Sequence, residues 1–106
     1  ICAGDNAIDM VAACNRLREI GGGYVIASKG KVIDEFALPY FGLMSDKPVS
    51  EAIEGISRLE RKAHELHVNP RIDPFTTLSF LALPVIPDIR LLDTGLYNVK
   101  SGKFYR

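Results

Sequence analysis

Residues 74–87, Pro-Phe-Thr-Thr-Leu-Ser-Phe-Leu-Ala-Leu-Pro-Val-Ile-Pro, decide how the chain must fold. The run carries no charge and is the most apolar in the sequence. It falls well short of the ~20 apolar residues that span a bilayer. It therefore reads as a central core segment. Asp73-Pro74 is a good helix start, because Asp caps orphan N–H groups and Pro is tolerated at the first helical position. Pro84 stops the helix, since the residue before a proline is pushed away from helical angles. These signals predict a short helix over Pro74–Ala82, with a strand as the alternative, and an extended exit through Pro84 and Pro87. A helix apolar on all sides needs cover on all sides. Full burial of this segment is the expectation.

Working outward, 106 residues suit one domain with a modest core. Charged residues make up 25% and hydrophobic residues 47%, an ordinary globular balance. Net charge is zero, which argues against nucleic-acid or membrane-surface partners recruited by charge. Cys2 and Cys14 are too few for a disulfide framework. Cys14 falls among apolar residues of a helix and reads as a buried small hydrophobe. Neither a signal peptide nor a membrane span is visible, so the cytoplasm is the default location. The opening Ile-Cys-Ala-Gly lacks methionine and resembles the end of a strand already under way, which points to a fragment of a longer protein.

On the N-terminal side, residues 1–3 read as a strand and Gly4 as its turn. Asp5 and Asn6 are N-cap types for a helix running to Ile20, which Gly21-Gly22-Gly23 ends. Met10, Ala13, Cys14 and Leu17 form one apolar stripe; Ile8, Val11 and Ala12 form a second, roughly opposite. The helix is expected to be covered on two sides. Asn15, if buried, needs partners. The turn at residues 3–6 lacks a phosphate-loop pattern and places an acid where an anion would sit, so capping is its reading. Residues 24–28 and 31–38 predict a hairpin about Lys29-Gly30. Val32, Phe36 and Leu38 share a face with Asp34, while Ile33, Glu35 and Ala37 take the other.

The loop 39–47 is unusually apolar, with Tyr40, Phe41, Leu43 and Met44. It either tucks under the domain or carries function. A second helix runs from Pro48 to about His67. Its apolar stripe is Val49, Ala52, Ile53, Ile56, Leu59, Ala63 and Leu66. Its solvated back carries Glu54–Arg58 and Arg61–Glu65 at i, i+4. Glu60, His64 and His67 fall in one sector and are residue types that ligate divalent metals. They are too few for a metal motif, and a histidine near a helix C-terminus is favoured by the dipole alone. Beyond the central run, residues 88–92 and 96–99 predict two strands about Asp93-Thr94-Gly95. A turn at Ser101-Gly102 precedes Phe104. The fold class is α/β (α+β), a two-layer β-α-β-β-α-α-β-β arrangement.

No nucleophile elbow, Cys/His pair, His-x-His or H-E-x-x-H is present. The residues by themselves define an α/β domain without a catalytic constellation.

Three segments together resemble the C-terminal domain of bacterial adenine deaminases. They are Gly4-Asp5-Asn6 with Asp9-Met10, Ala13, Asn15 and the triple glycine; Leu38-Pro39 with Gly42-Leu43-Met44-Ser45-Asp46; and Pro74–Pro87 followed by Gly95-Leu96. The resemblance covers essentially the whole chain, residues 1–106. Asn98 stands where the family's acidic residue is expected. The resemblance implies part of an amidohydrolase-superfamily enzyme of purine salvage that hydrolyses adenine to hypoxanthine and ammonia. It implies a metal-bound hydroxide, with manganese or iron, in a (β/α)8 barrel. None of that barrel's metal-ligand motifs occurs here, so no catalytic or metal-binding residue is carried over and no cofactor is expected on this fragment, which by itself should be inactive. Its partners are then the barrel of the same enzyme, adenine as the parent's substrate, and further copies in a homo-oligomer. In one reading the loop 42–46 packs at the barrel mouth, with Met44, Ser45 and Asp46 near substrate. In a second the domain is a structural or oligomerisation module. A free-standing small-molecule binder is a third.

Overall fold

The structure is a computed structural model and describes residues 1–105. The element order is α1 (Ala7–Ile20), β1 (Gly23–Ser28), β2 (Lys31–Ala37), α2 (Val49–Glu65), α3 (Pro74–Ala82), β3 (Ile89–Leu92), β4 (Gly95–Asn98) and β5 (Lys103–Phe104). The mixed α/β class and most boundaries match the sequence reading. The exceptions are at the two ends: a short β5 follows the Ser101-Gly102 turn, where no strand is expected, and residues 1–3 form no strand. Their apolar character suits a strand, but neither sheet includes them as a pairing partner. The chain divides into two compact units, residues 2–74 and residues 75–105.

The larger unit is built on the β1–β2 hairpin. Its two-residue turn places both Lys29 (φ 55°) and Gly30 (φ 73°) in the left-handed region, the requirement of a type I′ turn. Asn6 caps α1 by accepting a hydrogen bond from Asp9 N at 2.9 Å. The Asp9 carboxylate accepts from the Gly30 amide, fixing the hairpin turn to the first turn of the helix. The Asn6 side-chain amide also donates to the Asp9 carboxylate at 2.9 Å, and it, with the Gly30 bond, holds that carboxyl below its ordinary value, the Asn6 bond contributing most.

The strand β2 is gripped from both sides. Successive strand residues point to opposite faces, and Asp34 and Glu35 use this. Glu35 receives a two-pronged bond from Arg16 of α1, at 2.6 and 2.7 Å. Asp34 receives the same from Arg58 of α2, at 2.8 and 2.9 Å. Phe36, two residues beyond Asp34 and on the same face, lies over Gly55 of α2; a Cβ on Gly55 would stand 2.6 Å from the ring. The buried line of α2 is Gly55, Leu59 and Ala63, with Leu59 fully enclosed.

Several side chains depart from the sequence reading. Arg58 binds β2 instead of completing an i, i+4 pair with Glu54, and the ion pair nearest the end of α2 is Lys62–Glu65. Helix α1 is covered on one side only. Ala13 is buried, whereas Ile8 is 72% exposed and Val11, Cys14 and Asn15 are exposed too. Cys14 is therefore not a core residue, and Asn15 has no burial to compensate. Val49 and Ile53 extend the apolar stripe of α2 beyond the hairpin and stand exposed. A bulge between Ile26 and Ala27 shifts the register, so Val32 pairs with Ala27 and the simple alternation breaks there.

In the smaller unit α3 has the predicted bounds, but Phe75 is its sole buried residue. Phe80, Leu81, Leu83 and Val85 are exposed. The expected burial of the 74–87 run does not hold among the described residues, because helix formation is set locally whereas cover has to come from elsewhere. β3, β4 and β5 make an antiparallel meander, with Tyr97 and Phe104 rings 5.0 Å apart. Asn98 accepts from Ser101 N at 3.0 Å and donates to the Tyr105 hydroxyl at 2.8 Å. Asn98 thus ties the Ser101-Gly102 turn to the segment that follows β5.

Two outcomes are expected. Gly55→Ala drives a methyl into the Phe36 ring and lowers stability by about 1–3 kcal/mol, despite alanine's better helix propensity; thermal unfolding checks this. The arginine bonds hold Asp34 and Glu35 below their ordinary values of 3.8 and 4.5. Depressed carboxyl pKa values stabilise the fold above those values and stop doing so as pH falls through and below them. The thermal midpoint should drop below about pH 4.5, and the drop should be shallower in Arg58→Ala.

Candidate functional site

The loop between β2 and α2 is an ordered projection. The Tyr40 amide donates to the Met44 carbonyl at 3.3 Å, and the Leu43 and Met44 amides donate to the Tyr40 carbonyl. Phe41 (φ 60°) and Gly42 (φ 70°) both adopt left-handed backbone. The loop rests on the triple glycine. Gly21 terminates α1 with φ 77°. A Cβ on Gly22 (φ 128°) would stand 2.6 Å from Gly42 Cα, so the two backbones touch with no room for a side chain. The Leu38 amide donates to the Gly22 carbonyl and the Gly42 amide to the Leu38 carbonyl. The triple glycine thus does more than cap a helix and lead into a strand. Its middle residue is the seat of the loop.

This seating turns the apolar side chains outward instead of tucking them beneath the domain. Phe41 is 90% exposed, and Tyr40, Leu43 and Met44 are exposed with it. Of the residues read as substrate-proximal, Met44 and Asp46 are exposed and Ser45 is half-buried. The Ser45 hydroxyl accepts from the Lys47 amide at 3.0 Å, so it shapes the turn into α2. Phe41, the most exposed side chain of the loop, was not singled out from sequence. The Phe-Gly pair at the loop apex was the available signal.

Glu60, His64 and His67 do not converge. α2 ends at Glu65 and His67 takes φ 67°. The His67 amide bonds to the His64 carbonyl and the Val68 amide to the Ala63 carbonyl, a Schellman closure with His67 in the left-handed position. That residue leaves the helical face, and the His64 ring meets the Ile72 carbonyl at 3.3 Å. Among the described residues no group of three or more His, Cys, Asp or Glu side chains fits a metal ion. The side chains described do not suit the metal implied by the resemblance. No described helix is long and apolar enough to cross a membrane.

Comparison with known proteins places the chain in a family. The family model of the adenine deaminase C-terminal domain matches residues 1–103. The chain belongs to that family. It is 45% identical over 105 residues to an adenine deaminase of Nitratidesulfovibrio vulgaris, covering 98% of this chain and 18% of that protein. The adenine deaminase of Bacillus licheniformis is 46% identical over 101 residues, and that of Bacillus subtilis 44% over 101, each covering 95% of this chain and 18% of the relative. The chain thus spans less than a fifth of the length of these curated relatives.

Gly22→Ala should unseat the loop, since the new methyl meets Gly42 backbone at a disfavoured φ; a cost of about 2–3 kcal/mol is expected. Faster hydrogen exchange at the Gly42 amide reads the unseating. Gly21→Ala meets nothing within 4 Å, and it should leave that amide protected while still straining the cap.

Proposed function

We propose that residues 1–106 form the C-terminal domain of an adenine deaminase, and that the seated loop packs at the mouth of that enzyme's metal-dependent barrel. The parent enzyme hydrolyses adenine to hypoxanthine and ammonia. The observation that carries this reading is the loop itself: Phe41, Leu43 and Met44 held outward on a fixed glycine seat. Exposed apolar clusters of this kind serve interfaces or ligand sites. Met44 and Asp46 stand on the rim such packing creates. Ser45 acts by fixing the turn that aims Asp46. The barrel supplies the metal and the chemistry; this domain supplies walls and orientation.

The wider setting rests on the family resemblance. It comprises manganese or iron as the barrel's metal, a homo-oligomeric enzyme, a place in purine salvage and a cytoplasmic location. A second reading keeps the domain away from substrate, as a structural or oligomerisation module. The exposed Ile8–Val11 side of α1 favours it, because this apolar surface is separate from the loop in sequence.

The test uses the full-length enzyme. Met44→Ala, Ser45→Ala and Asp46→Ala should each lower kcat/KM with adenine by about tenfold, ~1.4 kcal/mol of transition-state stabilisation. An unchanged kcat/KM in all three, with a changed oligomeric state in Ile8→Asp, sinks the first reading and supports the second.

A further inference from the structure

The structure assigns a reversible dithiol site to Cys2 and Cys14, which lie beside one another on the flank of α1 and are closed into a bridge by a low-molecular-weight disulfide. Three observations place them. The Cys2 Sγ lies 4.0 Å from the Met10 carbonyl, one helical turn before Cys14. The Cys14 thiol lies near enough to Cys2 to help push its thiol up. The segment between Cys2 and the helix is laid close along α1, since a Cβ on Gly4 would stand 2.7 Å from the Met10 side chain. The pair is therefore preset by packing. Nothing in the loop or in the clamps on β2 uses either sulfur.

The two cysteines differ in a way that orders the chemistry. Cys14 is exposed and Cys2 is half-buried. Burial, with Cys14 alongside, pushes the Cys2 thiol up, so it is the poorer first nucleophile. With oxidised glutathione as the disulfide, the Cys14 thiol loses its proton to solvent and its sulfur attacks one glutathione sulfur. The glutathione S–S bond breaks, one glutathione leaves as a thiolate, and a mixed disulfide forms on Cys14. The Cys2 thiol then loses its proton and attacks Cys14 Sγ, expelling the second glutathione. Two protein thiols are oxidised by two electrons and one glutathione disulfide is reduced to two thiols. The product ties residues 2–4 to α1 beside its exposed Val11 side. A reducing cytosolic pool reverses it. The site thus couples the thiol–disulfide balance to the path of the segment leading into α1.

The full-length protein carrying this chain is incubated with oxidised glutathione, quenched by alkylation, digested and weighed. A peptide pair joined through Cys2 and Cys14, lighter by two hydrogens, should exceed glutathione-bearing Cys14 by about tenfold, because the second exchange is intramolecular. Dithiothreitol should restore both thiols. Cys2→Ser and Cys2→Ala should each trap glutathione on Cys14. Stable glutathione on Cys14 in the wild type without the joined peptides overturns the proposal. So does full alkylation of both cysteines after oxidant treatment.

Discussion

A two-stranded hairpin is at best marginally stable alone in water, and the larger unit depends on β2 being held on both faces at once. Glu35 and Asp34 alternate across the strand, and Arg16 and Arg58 reach them from helices on opposite sides. Exposed ion pairs contribute little stability, about 0.2–1 kcal/mol each. Their value here is geometric. A guanidinium gripping a carboxylate with two parallel bonds fixes direction as well as distance, so the two helices are oriented on the strand by charge and held there by burial. The burial is concentrated on the α2 side, where Phe36 fills the space left by Gly55 and Leu59 is fully enclosed. On the α1 side the apolar contribution is smaller, with Ala13 the buried residue. Arg16 and the Asp9–Gly30 bond therefore bear more of the positioning there.

What the sequence made legible divides along this line. Signals that act within a few residues were readable: Asn6 and Gly21 bound α1, Pro74 and Pro84 bound α3, and Lys29-Gly30 sets the hairpin. Signals that depend on a partner across the fold were not. Arg58 has an acid four residues before it, and nothing local says that Asp34 offers better geometry. Gly55 reads as a weak point in a helix until Phe36 is seen against it. Met44, Ser45 and Asp46 were legible as members of a loop with unusual composition. That Ser45 is occupied with Lys47, and that Phe41 is the projecting side chain, follows from a backbone path that composition does not encode.

Burial was the least legible property, for a physical reason. Apolar periodicity records that a face is to be covered; it does not record what covers it. Ile8 and Val11 on α1, Val49 and Ile53 on α2, and Leu91 in the smaller unit, 78% exposed, are all written as buried residues are written. The chain corresponds to less than a fifth of its relatives' length. In each unit, then, the apolar pattern marks more surface than the described residues cover.

The loop at 40–44 differs from those uncovered faces. A helix side is exposed by default when nothing packs on it. The loop is exposed by construction. Phe41 is held at a positive φ that costs a non-glycine residue roughly 1–3 kcal/mol, and Gly22 gives up a side chain so that its backbone meets that of Gly42. The Tyr40–Met44 bonds then close the projection on itself. A connection needed only to join β2 to α2 requires none of these features, and a flexible one would lose more entropy on docking. Holding a large aromatic outward on a rigid base removes that cost in advance, which is the property a contact surface needs.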